Sequence, residues 1–140
     1  MPASFFDTNV LLYLASADEA KANKVESLLA AGGDISVQVL NEYTAVARRK
    51  LKLSWGAIHG RLELLRDLLT VHPLTLECHE LGLFLSERYQ LSVFDGQIGA
   101  SALNAGCQTL WSEDMQHGLE LQSLSKRTGS VQAQIRNPFL

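Results

Sequence analysis

Short apolar runs alternate along the chain with longer segments in which hydrophobic residues recur every three or four positions. Residues 3–6 have strand character, and residues 34–39 form an alternating run rich in β-branched side chains. Between these runs the spacing predicts helices over residues 10–17 and 18–31, and a third helix continues from residue 41 to about residue 52. The first part of the chain therefore predicts a strand followed by helical structure, twice in succession.

The alternation continues through the second half of the chain. Hydrophobic residues after Ser54 keep the helical period up to Leu69. The further predicted elements are a brief strand or connector over residues 71–74, helices over 75–88 and 95–104, and a strand over 107–111. The tail from Lys126 to Leu140 is polar and weakly periodic, and it predicts no definite element.

Strands that alternate with helices of this length favour an α/β fold with a mostly parallel sheet, because parallel neighbours need a crossover connection. The chain has 140 residues, which suits one domain with a substantial core. No linker or low-complexity segment divides it. We therefore expect a single domain over residues 1–140.

The composition predicts a soluble globular protein, with 46% hydrophobic and 19% charged residues. No apolar run reaches the roughly 18 residues that a membrane span requires, and the N-terminus lacks the pattern of a signal peptide. Cys78 and Cys107 provide neither a disulfide framework nor zinc-ligand spacing. We therefore expect a cytoplasmic protein with reduced thiols and no membrane partner.

Four acidic residues, Asp7, Glu42, Asp95 and Asp114, each fall where a predicted strand leads into a helix. In a parallel sheet such positions converge on one edge, which is also where α/β proteins bind ligands. Clustered carboxylates repel one another unless they are protonated or neutralised by a cation. Mg²⁺ and Mn²⁺ prefer oxygen ligands, so the pattern predicts a site for one of these ions.

Each acid also has a purely structural explanation. Asp7 and Asp114 can cap helices, Glu42 can complement a helix dipole, and Ser92 to Asp95 fits the capping-box pattern. Four successive caps do not require acids, however, because Ser, Thr, Asn or Gly would serve as well. The joint pattern therefore favours a shared site over four separate caps.

The densest basic cluster of the sequence follows Glu42 and consists of Arg48, Arg49, Lys50 and Lys52. Formal net charge is −3, so any polyanion has to be bound by local positive charge. Arg49 lies seven residues after Glu42, two helical turns along roughly the same face. The cluster is either an RNA contact or a solvated helix end whose cations complement the dipole. Lys126, Arg127 and Arg136 are candidates to extend it.

Four blocks of the sequence resemble the acidic motifs of the PIN-domain nucleases, and the chain is similar to the VapC-type toxins among them. The blocks are residues 5–13 (FFDTNVLLY), 36–42 (SVQVLNE), 93–98 (VFDGQI) and 110–115 (LWSEDM), and residues 137–139 (NPF) resemble the tail of that group. Two departures are Gly96 and Gly99, where alanine is more usual and which predict a looser helix behind Asp95. His117 also replaces an acid that some members carry.

The resemblance implies a PIN-like three-layer fold with helices on both sides of the sheet. It implies metal-binding, catalytic roles for Asp7, Glu42, Asp95 and Asp114, with Asn9 and Ser112 as polar neighbours of the site. The leading hypothesis is therefore an endoribonuclease that uses Mg²⁺ or Mn²⁺. The resemblance adds the role of a toxin with a cognate antitoxin protein.

Two other functions fit the same residues. The first is a magnesium-dependent phosphohydrolase with Asp7 as nucleophile, because residues 7–10 loosely resemble the first motif of haloacid-dehalogenase-like enzymes. Asn9 stands where that motif normally has a second Asp. The second is a non-catalytic module whose acidic pocket binds an arginine of a partner or a structural cation.

A homodimer is also expected, because the helix after Ser54 carries more than one apolar face. Leu64 and Leu68 lie off the face that the helical period marks, and Leu81 and Leu85 follow on the next helix. These four residues are candidates for an interface, unless the helices bury several faces within the domain.

Overall fold

The computed structural model describes residues 3–125 and 129–140, and its strands form one sheet in the order β3-β2-β1-β4-β6-β5. The strands are β1 (Ser4–Phe6), β2 (Asp34–Ser36), β3 (Thr70–His72), β4 (Thr109–Trp111), β5 (Glu120–Ser125) and β6 (Gly129–Arg136). Neighbouring strands are parallel except β5, which pairs antiparallel with β6. The predicted α/β fold with a mostly parallel sheet is confirmed.

In the part of the chain that the structure describes, six α-helices flank this sheet. They are α1 (Thr8–Leu11), α2 (Glu19–Leu29), α3 (Val37–Arg49), α4 (Trp55–Leu68), α5 (Leu76–Tyr89) and α6 (Val93–Asn104), and a short 3-10 helix (Leu12–Ala15) follows α1. Short polar side chains begin five of the six by accepting a hydrogen bond from the backbone N–H three residues later. Those caps are Asp18, Ser36, Ser54, Thr75 and Ser92. Within the described residues, no helix is both long and apolar enough to cross a bilayer.

The two faces of the sheet differ in solvent exposure on β4 and β6. Phe5, Leu110 and Ile135 are register partners across β1, β4 and β6, and all three are fully buried. Trp111 and Arg136 are register partners on the opposite face, where Trp111 is half-buried and Arg136 is exposed. The buried face therefore forms the core, while the opposite face of β4 and β6 leaves polar side chains accessible.

Helix α6 packs closely against α5 at Gly96 and against β5 at Gly99. A Cβ on Gly96 would overlap Ser86 Oγ and lie 2.5 Å from the Gly82 carbonyl oxygen, and a Cβ on Gly99 would lie 2.7 Å from Leu121 Cδ1. The expectation that Gly96 and Gly99 loosen this helix is wrong. They allow a close approach that holds α6 in place.

Three local predictions are also wrong. The strand over residues 34–39 ends at Ser36, because that residue caps α3 and Val37 already begins the helix. The polar tail contains β6, which is inserted between β4 and β5. Leu85 is fully buried, and Leu81 packs against the core, so neither is left for a partner. Leu64 and Leu68 are exposed as predicted.

Candidate metal centre

Asp7 lies at the exit of the central strand β1 and caps α1. Its side chain is 5% exposed. Asp7 Oδ1 accepts a hydrogen bond of 2.7 Å from the Thr8 backbone N–H, and Oδ2 accepts bonds from Asn9 Nδ2 at 3.1 Å and from the Ser112 hydroxyl at 2.9 Å. All of these donors are neutral. The carboxylate is therefore held in a fixed orientation without a compensating positive charge.

The pKa of Asp7 is raised from 3.8 to about 6, mainly because burial penalises the ionised form. The hydrogen bonds from Ser112 and Thr8 oppose this shift, whereas the negative charges of Asp95 and Glu42 add to it. Burial and like charge outweigh the two hydrogen bonds. A group in this environment favours either a proton or a cation.

Asp95 and Asp114 form the next pair of interacting acids. Asp95 lies in the first turn of α6, where its backbone N–H donates to the Ser92 hydroxyl oxygen at 3.1 Å. Burial raises the pKa of Asp95, the Ser92 hydrogen bond lowers it, and the charge of the exposed Asp114 raises it further. Asp95 therefore interacts electrostatically with both Asp7 and Asp114.

Gln38 links Glu42 to helix α6 by hydrogen bonds, and the sequence interpretation missed this residue. Gln38 Nε2 donates to Glu42 Oε1 at 2.8 Å and to the Phe94 carbonyl oxygen at 3.1 Å. This amide links α3 to the first turn of α6, next to Asp95. The signal in the sequence is the i, i+4 spacing of Gln38 and Glu42 on one helix.

The structure thus places Asp7 within electrostatic range of Glu42 and Asp95, and Asp95 within range of Asp114. The predicted convergence of strand exits holds for Asp7 and Asp114, which follow the parallel neighbours β1 and β4, although no helix follows Asp114. Glu42 lies in the second turn of α3, no strand precedes α6 in the described chain, and the chain after Asp114 leads to β5. Packing of α3 and α6, rather than four strand exits, brings the acids together.

The Ser112–Asp114 loop is fixed to the site by Asn9 and Ser112, as expected for polar neighbours. Asn9 Oδ1 accepts from the Glu113 backbone N–H at 3.0 Å, while the Asn9 amide nitrogen reaches Asp7. The Ser112 oxygen also accepts from the Met115 N–H at 3.2 Å. These bonds hold the loop that carries Asp114 against the end of β1.

A second contact of this loop is absent from the sequence interpretation. Lys21 forms an ion pair of 2.8 Å with Glu113, whose other carboxylate oxygen accepts from the Tyr13 hydroxyl. The ammonium group also lies 4.6 Å from the ring centroid of Tyr13 and 4.9 Å from that of Phe139. Lys21 therefore neutralises Glu113, which is not one of the four acids.

The donor set suits a hard, partly hydrated cation. Among residues 3–125 and 129–140, no ion pair involves the four acids, and no group of three His, Cys, Asp or Glu side chains is arranged to hold an ion directly. Mg²⁺ commonly keeps several waters and takes one or two carboxylates directly. Gln38 Oε1 is buried without a hydrogen-bond partner in the described structure and is suited to accept from a water. Carboxylates, an amide oxygen and water together fit such an ion.

The predicted basic cluster lies at the C-terminal end of α3, outside the acidic group. All four residues are exposed, and Arg48 also donates to the Leu53 carbonyl oxygen at 3.1 Å and lies 4.9 Å from the Trp55 ring. Arg136 belongs to β6, and Lys126 and Arg127 lie outside the described residues. The cluster is therefore confined to the end of α3 in the described structure.

Comparisons with known proteins agree with this architecture. The PIN domain family matches residues 4–118. A toxin-antitoxin complex from Klebsiella pneumoniae contains a chain that is 18% identical, with a TM-score of 0.66 and coverage of 97% of this chain and 98% of that one. FitAcB from Neisseria gonorrhoeae has 17% identity, a TM-score of 0.67 and the same coverage.

A third similar structure is VapC20 from Mycobacterium tuberculosis, described as a toxin that cleaves the sarcin-ricin loop. It is 20% identical, with a TM-score of 0.66 and coverage of 80% of this chain and 90% of that chain. No curated protein matches the sequence. At these identities the solved structures establish the fold.

Proposed function

The chain belongs to the PIN domain family, and from that premise we propose that it is a metal-dependent endoribonuclease that cleaves RNA phosphodiester bonds. The observation that carries this proposal is the environment of Asp7. Its carboxyl group is buried, its pKa is raised to about 6, and within residues 3–125 and 129–140 its electrostatic neighbours include two further acids and no ion-pair partner. A site that disfavours an uncompensated negative charge in this way suits a divalent cation.

In this proposal, Asp7, Glu42, Asp95 and Asp114 hold Mg²⁺ or Mn²⁺, some directly and some through water. When bound, the ion supplies Lewis-acid stabilisation of a phosphate and lowers the pKa of a coordinated water. Ser112, Asn9 and the Thr8 N–H fix the orientation of Asp7, so its metal-facing geometry is set before substrate arrives.

The exposed end of α3 is the proposed contact for the RNA backbone. Arg49 follows Glu42 by two helical turns, about 10 Å along the helix axis. Arg49, Lys50 and Lys52 are exposed and therefore accessible to phosphates. Arg48 already bonds the Leu53 carbonyl oxygen, so we assign it a mainly structural part in the cluster.

We also propose that residues 1–140 form one PIN domain that acts as the toxin of a cytoplasmic toxin-antitoxin pair. The support is the similarity to the chains from the Klebsiella and Neisseria structures, each covered over 98% of its length. An antitoxin arginine among the four acids would replace the charge of the metal and inhibit the enzyme. Leu64 and Leu68, 52% and 42% exposed, are the proposed part of a homodimer interface.

The test is cleavage of a mixed RNA pool by the purified protein with Mg²⁺ or Mn²⁺, beside a generic phosphate monoester. We expect RNA to be cut, EDTA to stop the reaction and Asp7→Asn to abolish it. The matched control is Asp67→Asn, which removes an exposed carboxylate on α4. Hydrolysis of the monoester alone would support the phosphohydrolase, and metal binding with neither reaction would support the binding module.

A further inference from the structure

A second polar site lies beside the acidic group, on the accessible face of the sheet. It is a cavity of about 310 Å³ between α2, the ends of β4 and β6, and the residues that follow those strands. Its lining includes Lys24, Trp111, His117, Gln134 and Arg136. None of these residues takes part in the proposed metal site.

The lining of the cavity, which also includes Asn137, Pro138 and Leu140, has two positively charged side chains and no acidic one. Lys24 and Arg136 are cationic, and no Asp or Glu side chain contributes to the lining. Lys21, one turn earlier on α2, forms an ion pair with Glu113. Lys24 has no comparable ion pair in the described part of the chain, so its charge is available to a ligand.

Two further groups present hydrogen-bond donors. Arg136 Nε donates to Gln134 Oε1 at 3.0 Å, which orients the guanidinium group and leaves its terminal nitrogens without a partner among the described contacts. His117 Nδ1 accepts from the Asn137 backbone N–H at 2.9 Å. The neutral imidazole therefore carries its proton on Nε2, where it is a donor.

Trp111 gives the cavity an aromatic wall. It is the register partner of Arg136, so the two side chains leave the same face of the sheet, and both line the cavity. The ring is half-buried, which fixes it while part of its surface stays accessible. Indole faces stack with any nucleobase, and fixed cationic groups bind phosphate.

Hydrogen bonds join the strands that line the cavity to the acidic group. Trp111 precedes Ser112, whose hydroxyl donates to Asp7, and the Trp111 carbonyl oxygen accepts from the Asp7 backbone N–H at 2.9 Å. The Arg136 carbonyl oxygen accepts from the Ser112 N–H at 2.9 Å. A strand bound at the acids therefore passes close to this cavity.

We propose that this cavity binds one nucleotide of the RNA strand, with the phosphate at Lys24 and Arg136 and the base against Trp111. The inference rests on the proposed function for the identity of the strand, but the binding chemistry is independent of cleavage. The volume lies near the lower end, about 300 Å³, of typical ligand sites, which suits one nucleotide rather than a larger ligand.

Fluorescence of Trp111 provides the test, because the chain has only two tryptophans and Trp55→Phe leaves Trp111 as the single reporter. The protein in EDTA is titrated with 5′-AMP, adenosine and inorganic phosphate. We expect AMP to quench Trp111, and adenosine and phosphate each to bind at least tenfold more weakly. Lys24→Gln with Arg136→Gln should weaken AMP binding at least tenfold. The control Arg66→Gln, on α4, should leave it unchanged.

A tetranucleotide RNA then distinguishes a strand from a free nucleotide. In the Asp7→Asn background with EDTA, the tetranucleotide should bind more tightly than AMP. Adding Lys24→Gln and Arg136→Gln should reduce the slope of log affinity for the tetranucleotide against log salt by about 1.4, because two phosphate contacts are lost. Tighter binding of AMP than of the tetranucleotide would overturn the strand assignment. Unchanged affinity in the double variant, or no response of Trp111, would overturn the site itself. If the wild-type protein with Mg²⁺ or Mn²⁺ cleaves no RNA but binds nucleotide as expected, only the proposed nuclease function is contradicted.

Discussion

Ser112 donates a hydrogen bond of 2.9 Å to Asp7 Oδ2, although 105 residues separate them in the sequence. The contact follows from the pairing of β1 with β4, in which Phe6 and Trp111 are register partners. The next residue of each strand therefore lies at the same edge of the sheet. This places a neutral hydroxyl beside the buried carboxylate. Burial raises the pKa of Asp7 to about 6, although the hydrogen bond from Ser112 acts in the opposite direction.

Asp7→Asn should abolish RNA cleavage and stabilise the metal-free protein above pH 7. A shift of the pKa from 3.8 to about 6 costs the folded state roughly 3 kcal/mol when the carboxyl group is ionised. The amide of Asn keeps only one acceptor oxygen, so it loses either the Thr8 bond to Oδ1 or the Ser112 and Asn9 bonds to Oδ2, which offsets the gain by roughly 1 kcal/mol. We expect a net gain of about 2 kcal/mol in urea unfolding with EDTA at pH 8, and almost none at pH 4. An unchanged unfolding free energy at pH 8 would contradict the assigned pKa.

The metal-free wild type should lose stability relative to Asp7→Asn as pH rises from about 4 to about 6. Asp7 binds its proton more tightly when folded, so its contribution is fully present below the unfolded pKa and is lost as pH rises through the folded pKa. The raised pKa of Asp95 lowers the stability of both metal-free proteins as pH rises, because both contain this residue. Above pH 7, Mg²⁺ or Mn²⁺ should raise the stability of the wild type more than that of Asp7→Asn, because the ion binds the folded state and needs the Asp7 carboxylate. Thermal melts of both proteins across pH and metal concentration measure this, and equal metal responses would exclude Asp7 as a ligand.

The position of Asp7 at the end of a strand could be predicted from the sequence, because it depends on local features, whereas Asn9 and Ser112 were implied by the family resemblance. Phe5 and Phe6 are apolar enough to mark a buried strand, and the acid follows that strand directly. The N-caps Ser54 and Ser92 were recognisable for the same reason, since a cap acts within three residues.

The positions of Glu42 and of the C-terminal strands depend on tertiary contacts. Val37 and Val39 favour a strand by themselves, but the Ser36 cap and the burial of Val39 place them in a helix. In β6, Ala133 and Ile135 are buried while Gln134 and Arg136 face the accessible side. Two buried residues in a polar segment give too weak an alternation to identify a strand, which is stabilised by its pairing with β4 and β5.

Arg49→Gln with Lys50→Gln should weaken RNA binding without affecting metal affinity. Both side chains are exposed, and each lost contact to single-stranded RNA should reduce the salt slope by about 0.7. Arg48 is left intact because it bonds the Leu53 carbonyl oxygen. Binding of labelled RNA to the Asp7→Asn protein at several salt concentrations tests this, with Arg66→Gln as control. A wild-type slope would show that the cluster only complements the end of α3.

Leu64→Glu with Leu68→Glu should convert a homodimer into a monomer. The two side chains lie one turn apart on α4, and both are exposed, so charges are tolerated in a monomer but not in an apolar interface. Light scattering at micromolar concentrations measures the mass. Leu83→Glu, at 44% exposure on α5, is the matched control and should stay dimeric. A monomeric wild type across the accessible range would refute the homodimer.

Gly96→Ala should destabilise the protein by about 1 to 3 kcal/mol, because the added methyl group meets Ser86 Oγ and the Gly82 carbonyl oxygen. The control is Gly60→Ala on α4, where a Cβ meets nothing within 4 Å and alanine should stabilise the helix by about 0.5 to 1 kcal/mol. Urea unfolding compares the two variants under identical conditions.

The same substitution also tests how Asp95 is positioned. Gly96 follows Asp95 in the first turn of α6, so a displaced helix moves that carboxylate relative to Asp7. Cleavage by Gly96→Ala should therefore fall at temperatures where the variant remains fully folded, whereas Gly60→Ala should cleave at the wild-type rate. If Gly96→Ala loses stability but keeps full activity when folded, the close packing of α5 and α6 supports the fold without positioning Asp95.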